Sequence, residues 1–194
     1  MILAEVKKDV DSIFAEDEER LNHIYGVRST AVILAHQHGA SMENVEIAAL
    51  LHDITKHYSE EEHKEIIEKH YGEEIFKNFP EAIWHSFSAA ALGKEHYGVK
   101  NPDIIKAVES HTIGRPDMGL LEKILFVADY IEPNRPYENS KEVFKIAFDN
   151  LDLAIFKAID LSIELFENKG ETVPSQAYDA REFYRDIVTE ENNG

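Results

Sequence analysis

The sequence predicts an all-α protein. Apolar residues recur at spacings of three and four through most of the chain, which is the period of an amphipathic helix. The 9 Gly and 6 Pro residues lie mostly between these periodic segments. No Val-, Ile- and Thr-rich run alternates with a period of two between hairpin turns, so no strand is predicted. With 194 residues, 43% of them hydrophobic, we expect one domain, with a metal-binding core over about 20–135 and a helical C-terminal part over about 139–188.

Capping residues define the ends of the ten predicted helices. Ser59 and Glu62 have the spacing of a capping box. Asn101 is a good cap, and Pro102 suits the first turn that follows it. Pro133 disfavours helix at the residue before it. The predicted helices cover 3–15, 18–37, 42–52, 59–70, 73–79, 82–97, 102–111, about 117–131, 140–168 and 175–188.

Composition excludes several classes of function. The formal net charge of −18 would repel a phosphate backbone, so we expect no nucleic-acid partner. Cysteine is absent, so any transition metal must be held by His and carboxylate side chains. The N-terminus is broken by charges from Glu5 onward, unlike a signal peptide, and no run approaches the ~18 apolar residues of a membrane span. We therefore expect a cytoplasmic protein without a membrane partner; its oligomeric state stays open, with a homodimer as one option.

Five predicted helices carry a His or Asp where an apolar residue is expected. In the third helix, His52 continues the stripe of Val45, Ala48 and Ala49. Taken singly, such a histidine is a hydrogen-bonded core residue or a helix end at the surface. Taken together, buried imidazoles and carboxylates would satisfy one another by binding metal. The set comprises His23, His52, His85, His111 and Asp129, with Asp53 beside His52.

The order of these residues resembles a known family. His23, then adjacent His52-Asp53, then a distant Asp129, is the ligand order of the HD-domain phosphohydrolases, and the two intervening histidines resemble its two-metal branch. In detail, RLNHIYGVRSTAVILA, ALLHDITK, AIWHSFSAA, ESHTIGRPDM and LFVADYIEPNR resemble the motif blocks of the YqeK family of symmetrical bis(5'-nucleosyl)-tetraphosphatases. The resemblance covers about 20–135, and it implies an HD-domain helical bundle. Ser86-Phe87-Ser88 and Ile113 depart from the blocks without removing a proposed ligand.

The resemblance implies hydrolysis of diadenosine tetraphosphate to two ADP at a dinuclear site. Imidazole and carboxylate ligands favour iron, manganese, zinc or similar ions over magnesium. We expect iron, with manganese, zinc, cobalt or nickel as alternatives. We expect His23, His52 and Asp129 to bind one ion. His85 and His111 are expected to bind the other, while Asp53 bridges the two. Two ions ~3.5–4 Å apart would lower the pKa of a shared water, and the bridging hydroxide would attack an inner phosphorus.

Four further residues are candidates for phosphate binding. Lys56 lies one turn after Asp53, where it could bind a phosphate oxygen, so we predict a catalytic role for Lys56 as well as for Asp53. The alternative for Lys56 is an exposed lysine at a helix end. The resemblance implies that Arg135 contacts phosphate, and Thr112 and Arg115 are weaker candidates. The remaining histidines are predicted to be solvated: His36, His38, His57, His63, His70 and His96.

Two groups of alternatives remain at this point. In the first, the protein is another HD phosphohydrolase: a nucleoside monophosphate phosphatase, or a cyclic dinucleotide phosphodiesterase. The Gly-Tyr-Pro motif of the phosphodiesterase is missing from this chain. Otherwise it is a non-catalytic nucleotide-binding module, which would have no chemical reason to retain all six metal-ligand candidates. The sequence leaves open the native metal, its occupancy, the preferred base and the contacts to that base.

Overall fold

The computed structural model describes residues 2–135, 139–170 and 172–191, and within these residues it contains eleven helices and no strand. The all-α prediction is therefore confirmed. In chain order the helices are α1 Ile2–Ile13, α2 Glu18–His38, α3 Met42–Leu51, α4 Glu60–His70, α5 Glu74–Asn78, α6 Glu81–Glu95, α7 Pro102–Ser110, α8 Leu120–Ile131, α9 Ser140–Asp149, α10 Leu151–Asn168 and α11 Ser175–Glu191.

The predicted caps are present where the sequence placed them. Ser59 and Glu62 form the capping box of α4, each bonding to the other's backbone N–H. Asn101 accepts a hydrogen bond from the backbone N–H of Asp103 at the start of α7, and Pro102 occupies the first turn. These ends are determined locally, which is why a sequence pattern could find them.

The prediction of one helix over 140–168 is wrong. The chain breaks at Asn150, which has an extended backbone with φ −146° and ψ 102°. Its side-chain oxygen accepts a hydrogen bond from Leu153 N at 2.8 Å, so Asn150 caps α10 instead of continuing α9. Helix α8 also begins later than predicted, at Leu120, because Asp117 adopts a left-handed conformation with φ 53°.

Tertiary packing brings the predicted metal-binding helices together. Helix α2 packs against α3 and α8, and α7 packs against α3, α6 and α8. Helix α10 packs on α8, α9 and α11, so the C-terminal helices cover the other side of α8. The shared core is mostly aliphatic, and its members include Leu34, Leu50, Ile124, Leu125 and Ile155. Within the described ranges, no helix combines the length and apolar character needed to cross a membrane.

Candidate metal centre

The six residues predicted as metal ligands lie side by side. They come from α2, from the carboxyl ends of α3 and α7, from α6 and from α8. The exposed fractions are 7% for His23, 0% for His52, 3% for Asp53, 4% for His85 and 2% for His111. The side chain of Asp129 is 14% exposed. Residues from five helices therefore form a buried polar cluster inside the protein.

Asp53 lies between two groups of histidines. Its Oδ2 atom is 3.6 Å from His23 Nε2 and 3.6 Å from His52 Nε2. Its Oδ1 atom is 3.2 Å from His85 Nε2 and 3.9 Å from His111 Nε2. One carboxylate therefore presents a separate oxygen to each group, which is the arrangement that a bridging ligand requires.

Asp129 belongs to the first of these groups. Its Oδ1 atom lies 3.2 Å from His23 Nε2 and 4.0 Å from His52 Nε2. Ligand atoms of His23, His52 and Asp129 all lie within 4.8 Å of one another, as do those of His52, Asp53 and His111. His52 thus lies between the two groups, although we predicted it for one ion alone.

In His52 and His111, a hydrogen bond at Nδ1 directs the Nε2 atom on the other side of the ring into the cluster. The Nδ1 atom of His52 is 2.6 Å from Ala49 O, and that of His111 is 2.8 Å from Val108 O. Because a carbonyl only accepts, each Nδ1 carries the proton and each Nε2 of the neutral ring presents a lone pair. This is the tautomer that binds a metal through Nε2.

The protonation states match a divalent cation. Burial lowers the pKa of His52, His85 and His111 to about 4, so these rings are neutral at pH 7. Burial raises the pKa of Asp53, but the neighbouring His52 and His85 hold it well below its usual value. Uncharged imidazoles around an ionised carboxylate are a donor set that suits iron, manganese or zinc.

Glu132 supports His23 from outside the cluster. Its buried carboxylate lies 3.1 Å from His23 Nδ1 and accepts a second bond from Asn134 N at 2.8 Å. A Cβ atom on Gly26 would lie 2.3 Å from Glu132 Oε2, so only glycine leaves room for this carboxylate against α2. Glu132 was not predicted from the sequence, although its position three residues after Asp129 was an available signal.

Three cationic side chains border the carboxylates. The Nζ atom of Lys56 lies 3.2 Å from His85 Nε2 and 4.0 Å from Asp53 Oδ1. Arg135 donates to Asp129 Oδ1 at 2.5 Å. Arg20, which the sequence analysis missed, donates to Asp53 Oδ2 at 2.5 Å, one helical turn before His23. Positive side chains therefore border the carboxylates of the cluster although the chain as a whole is acidic.

A cleft of about 200 Å³ opens onto the cluster, and its walls include Lys56, His85, His111, Asp129 and Arg135. Thr112 also lines it, with its hydroxyl 3.2 Å from that of Ser86.

Arg115 does not line the cleft. Its guanidinium donates to both carboxylate oxygens of Glu122, at 2.7 and 2.6 Å. The Glu122 carboxylate also accepts from Ser110 Oγ at 3.1 Å and from Gly119 N at 2.8 Å. Arg115 therefore holds the loop between α7 and α8, and its predicted phosphate contact is the one that the geometry favours least.

The prediction that six other histidines are solvated is wrong for His63. This ring is 6% exposed, and its Nδ1 atom lies 2.8 Å from Ser88 Oγ. Ser88 and Thr55 both donate to the backbone carbonyl of His85, so His63 joins a network behind a predicted ligand. The ring shares its face of α4 with buried Ile67, a spacing that signals burial.

Two more of these histidines are only partly exposed. His38 Nε2 lies 2.6 Å from Ala147 O, and His70 Nε2 lies 3.3 Å from Glu95 Oε2. The prediction of solvation holds for the exposed rings of His36, His57 and His96.

The chain resembles known proteins over most of its length. The profile of the HD domain matches residues 20–134. The symmetrical bis(5'-nucleosyl)-tetraphosphatase of Bacillus subtilis is 38% identical over 156 residues, covering 80% of this chain and 84% of that protein. The protein of the same name from Halalkalibacterium halodurans is 33% identical over 156 residues, covering 80% of this chain and 83% of that protein.

A solved structure has the same fold. It is the crystal structure of a predicted HD superfamily hydrolase involved in NAD metabolism from Clostridium acetobutylicum. The two superpose with a TM-score of 0.85 at 34% identity, covering 93% of this chain and 97% of the other. The chain thus belongs to the HD-domain family of hydrolases and, within it, to the YqeK family.

Proposed function

We propose that this protein hydrolyses diadenosine tetraphosphate symmetrically to two ADP, using two divalent metal ions. The observation that carries the proposal is the position of Asp53, whose two oxygens face two separate groups of histidines. The names of the relatives from Bacillus subtilis and Halalkalibacterium halodurans support this choice of substrate.

The proposed ligand sets follow the two sides of Asp53. His23, His52 and Asp129 would hold one ion, and His85 and His111 would hold the other, with Asp53 shared. The ions, most simply iron, would supply a lowered pKa for water and charge to neutralise phosphate. The buried second bonds of His23, His52 and His111 fix the rings, so the chain holds this set ready before substrate binds.

The reaction joins a water oxygen to one inner phosphorus of the tetraphosphate. The central P–O–P bond then breaks, and each half leaves as ADP. Lys56 and Arg135 would bind the phosphate oxygens; both line the cleft beside the carboxylates, which supports this role. Their fixed charges would stabilise negative charge on the transferred phosphorus and on the leaving ADP. Thr112, which also lines the cleft, would position the chain of phosphates with its hydroxyl.

Product analysis tests the proposal. Protein loaded with Fe²⁺ or Mn²⁺ is incubated with diadenosine tetraphosphate, and the nucleotides are separated by ion-exchange chromatography. We expect two ADP for each substrate consumed. ATP and AMP in equal amounts would contradict symmetric cleavage. Faster turnover of AMP or of a cyclic dinucleotide would favour another HD phosphohydrolase, and binding without release of ADP would favour a non-catalytic module.

A further inference from the structure

A second cavity opens beside the cleft and continues it away from the metal centre. It has a volume of about 340 Å³, within the range of sites for small molecules, roughly 300–1,000 Å³. The cleft and this cavity share part of their walls, including Thr112, Ile113, Phe126, Ser162 and Phe166. The two cavities therefore adjoin, and a ligand with its phosphates in the cleft would have its other end close to this cavity.

The inner wall of this cavity comes from the C-terminal part of the chain. Ile159 and Ile163 of α10 line it, together with Val173 and Pro174 just before α11 and Ala177 in the first turn of α11. All of these residues lie beyond residue 134, where the match to the HD domain ends. The HD domain thus holds the candidate metal ligands, whereas the C-terminal helices supply an apolar surface next to them.

The chemistry of the walls excludes phosphate as the occupant. None of the described residues that line the cavity is charged, and only Thr112, Ser162 and Thr172 offer side-chain hydroxyls. A flat heteroaromatic group with a few polar atoms suits such a surface. Phe166 favours a flat ring as the occupant: it lines both cavities, and it is the only aromatic side chain among the exposed large apolar residues that the structure describes.

We propose that this cavity binds the nucleoside of one half of the substrate, with its base stacked on Phe166 and its phosphates leading back to the cleft. The inference rests on the proposed function and assigns the C-terminal helices to substrate recognition. Because the cavity adjoins the cleft directly, the same place should hold the nucleoside of the product ADP.

Binding of ADP tests this assignment without requiring turnover. Phe166→Ala removes the stacking surface, and base–aromatic stacking contributes enough that we expect ADP affinity to fall about tenfold. Phe166→Trp should restore it. Leu165→Ala is the matched control, since Leu165 is the neighbouring residue on α10, is also 37% exposed and lines neither cavity. Affinities are measured by isothermal titration of Mn²⁺-loaded protein with ADP and, separately, with inorganic tripolyphosphate.

Comparing ADP with tripolyphosphate distinguishes the loss of a contact to the base from a general loss of phosphate binding. We expect Phe166→Ala to leave tripolyphosphate affinity unchanged and Leu165→Ala to change neither. Unchanged ADP affinity in Phe166→Ala, or an equal loss for both probes, would overturn the proposal, as would wild-type protein that binds no ADP. If wild type binds ADP in a Phe166-dependent way but releases none from diadenosine tetraphosphate, the nucleoside site stands and the proposed function fails.

Discussion

The Nε2 atoms of His23 and His52 face each other at 3.2 Å. The far nitrogen of His52 is bonded to a carbonyl, so its Nε2 presents a lone pair to the other ring. Burial lowers the pKa of His23, but Asp129 beside it outweighs burial and raises that pKa above 6.5. Carboxylate oxygens of Asp53 and Asp129 border both Nε2 atoms, so a cation would be stabilised where the two rings meet.

Asp53→Asn should abolish metal binding and activity together. The amide keeps the shape of the side chain but removes the charge that faces both groups of histidines. We expect turnover to fall by more than about a hundredfold while the far-ultraviolet circular dichroism stays helical. Asp160→Asn, at a carboxylate 53% exposed on α10, is the control and should change neither. Retained activity in Asp53→Asn would contradict the two-metal proposal.

Arg20→Ala should weaken substrate binding. Arg20 contacts Asp53 at the edge of the cluster, and a charged bond to phosphate contributes enough for a roughly tenfold rise in KM. Arg28→Ala is the matched control, because Arg28 lies on the same helix, is similarly exposed and also pairs with a carboxylate, that of Glu46. If Arg20→Ala instead lowers metal content at unchanged KM, Arg20 positions Asp53 and does not bind phosphate.

Gly26→Ala should lower metal affinity. In an ordinary helix interior this change stabilises by about 1 kcal/mol. Here the new Cβ would displace the buried Glu132 carboxylate, which supports His23. Loss of such support typically costs 10–100-fold in metal affinity, measurable by competition with a chelator of known affinity. A higher free energy of unfolding with unchanged metal affinity would contradict the prediction, because it would show that displacing Glu132 does not weaken the metal site.

Arg115→Ala should destabilise the fold without raising KM. It would leave the Glu122 carboxylate, which is 3% exposed, without its main partner. Removing one member of a buried pair lowers the free energy of unfolding by about 3–5 kcal/mol. Because Arg115 is 35% exposed, we expect a loss of about 2–4 kcal/mol, measured by urea unfolding. The double variant with Glu122→Ala should lose less than the sum of the single variants. Unchanged stability with a raised KM would instead support the predicted phosphate contact.

Much of the fold could be predicted because its signals are local. The capping box at Ser59 and the proline after Asn101 act within one helical turn. The break at Asn150 could not be found in this way, because asparagine occurs both inside helices and at their caps. Which role it takes depends on how α9 and α10 each pack against α8.

In the candidate site, too, some residues could be predicted from local signals and others depend on tertiary packing. Helical phase placed His52 on a buried face, but phase cannot show that the ends of α3 and α7 meet beside α2. Arg20 and Glu132 were missed because charged residues near helix ends are usually solvated. Only the tertiary structure directs them onto Asp53 and His23.

Metal content per chain tests the central claim most directly. Protein purified without chelator, reloaded with Fe²⁺ under anaerobic conditions and desalted, is analysed for metal and for protein concentration by elemental and amino-acid analysis. The position of Asp53 between two groups of histidines predicts two equivalents of metal per chain in wild type. A single equivalent per chain that supports full hydrolysis of diadenosine tetraphosphate would contradict it.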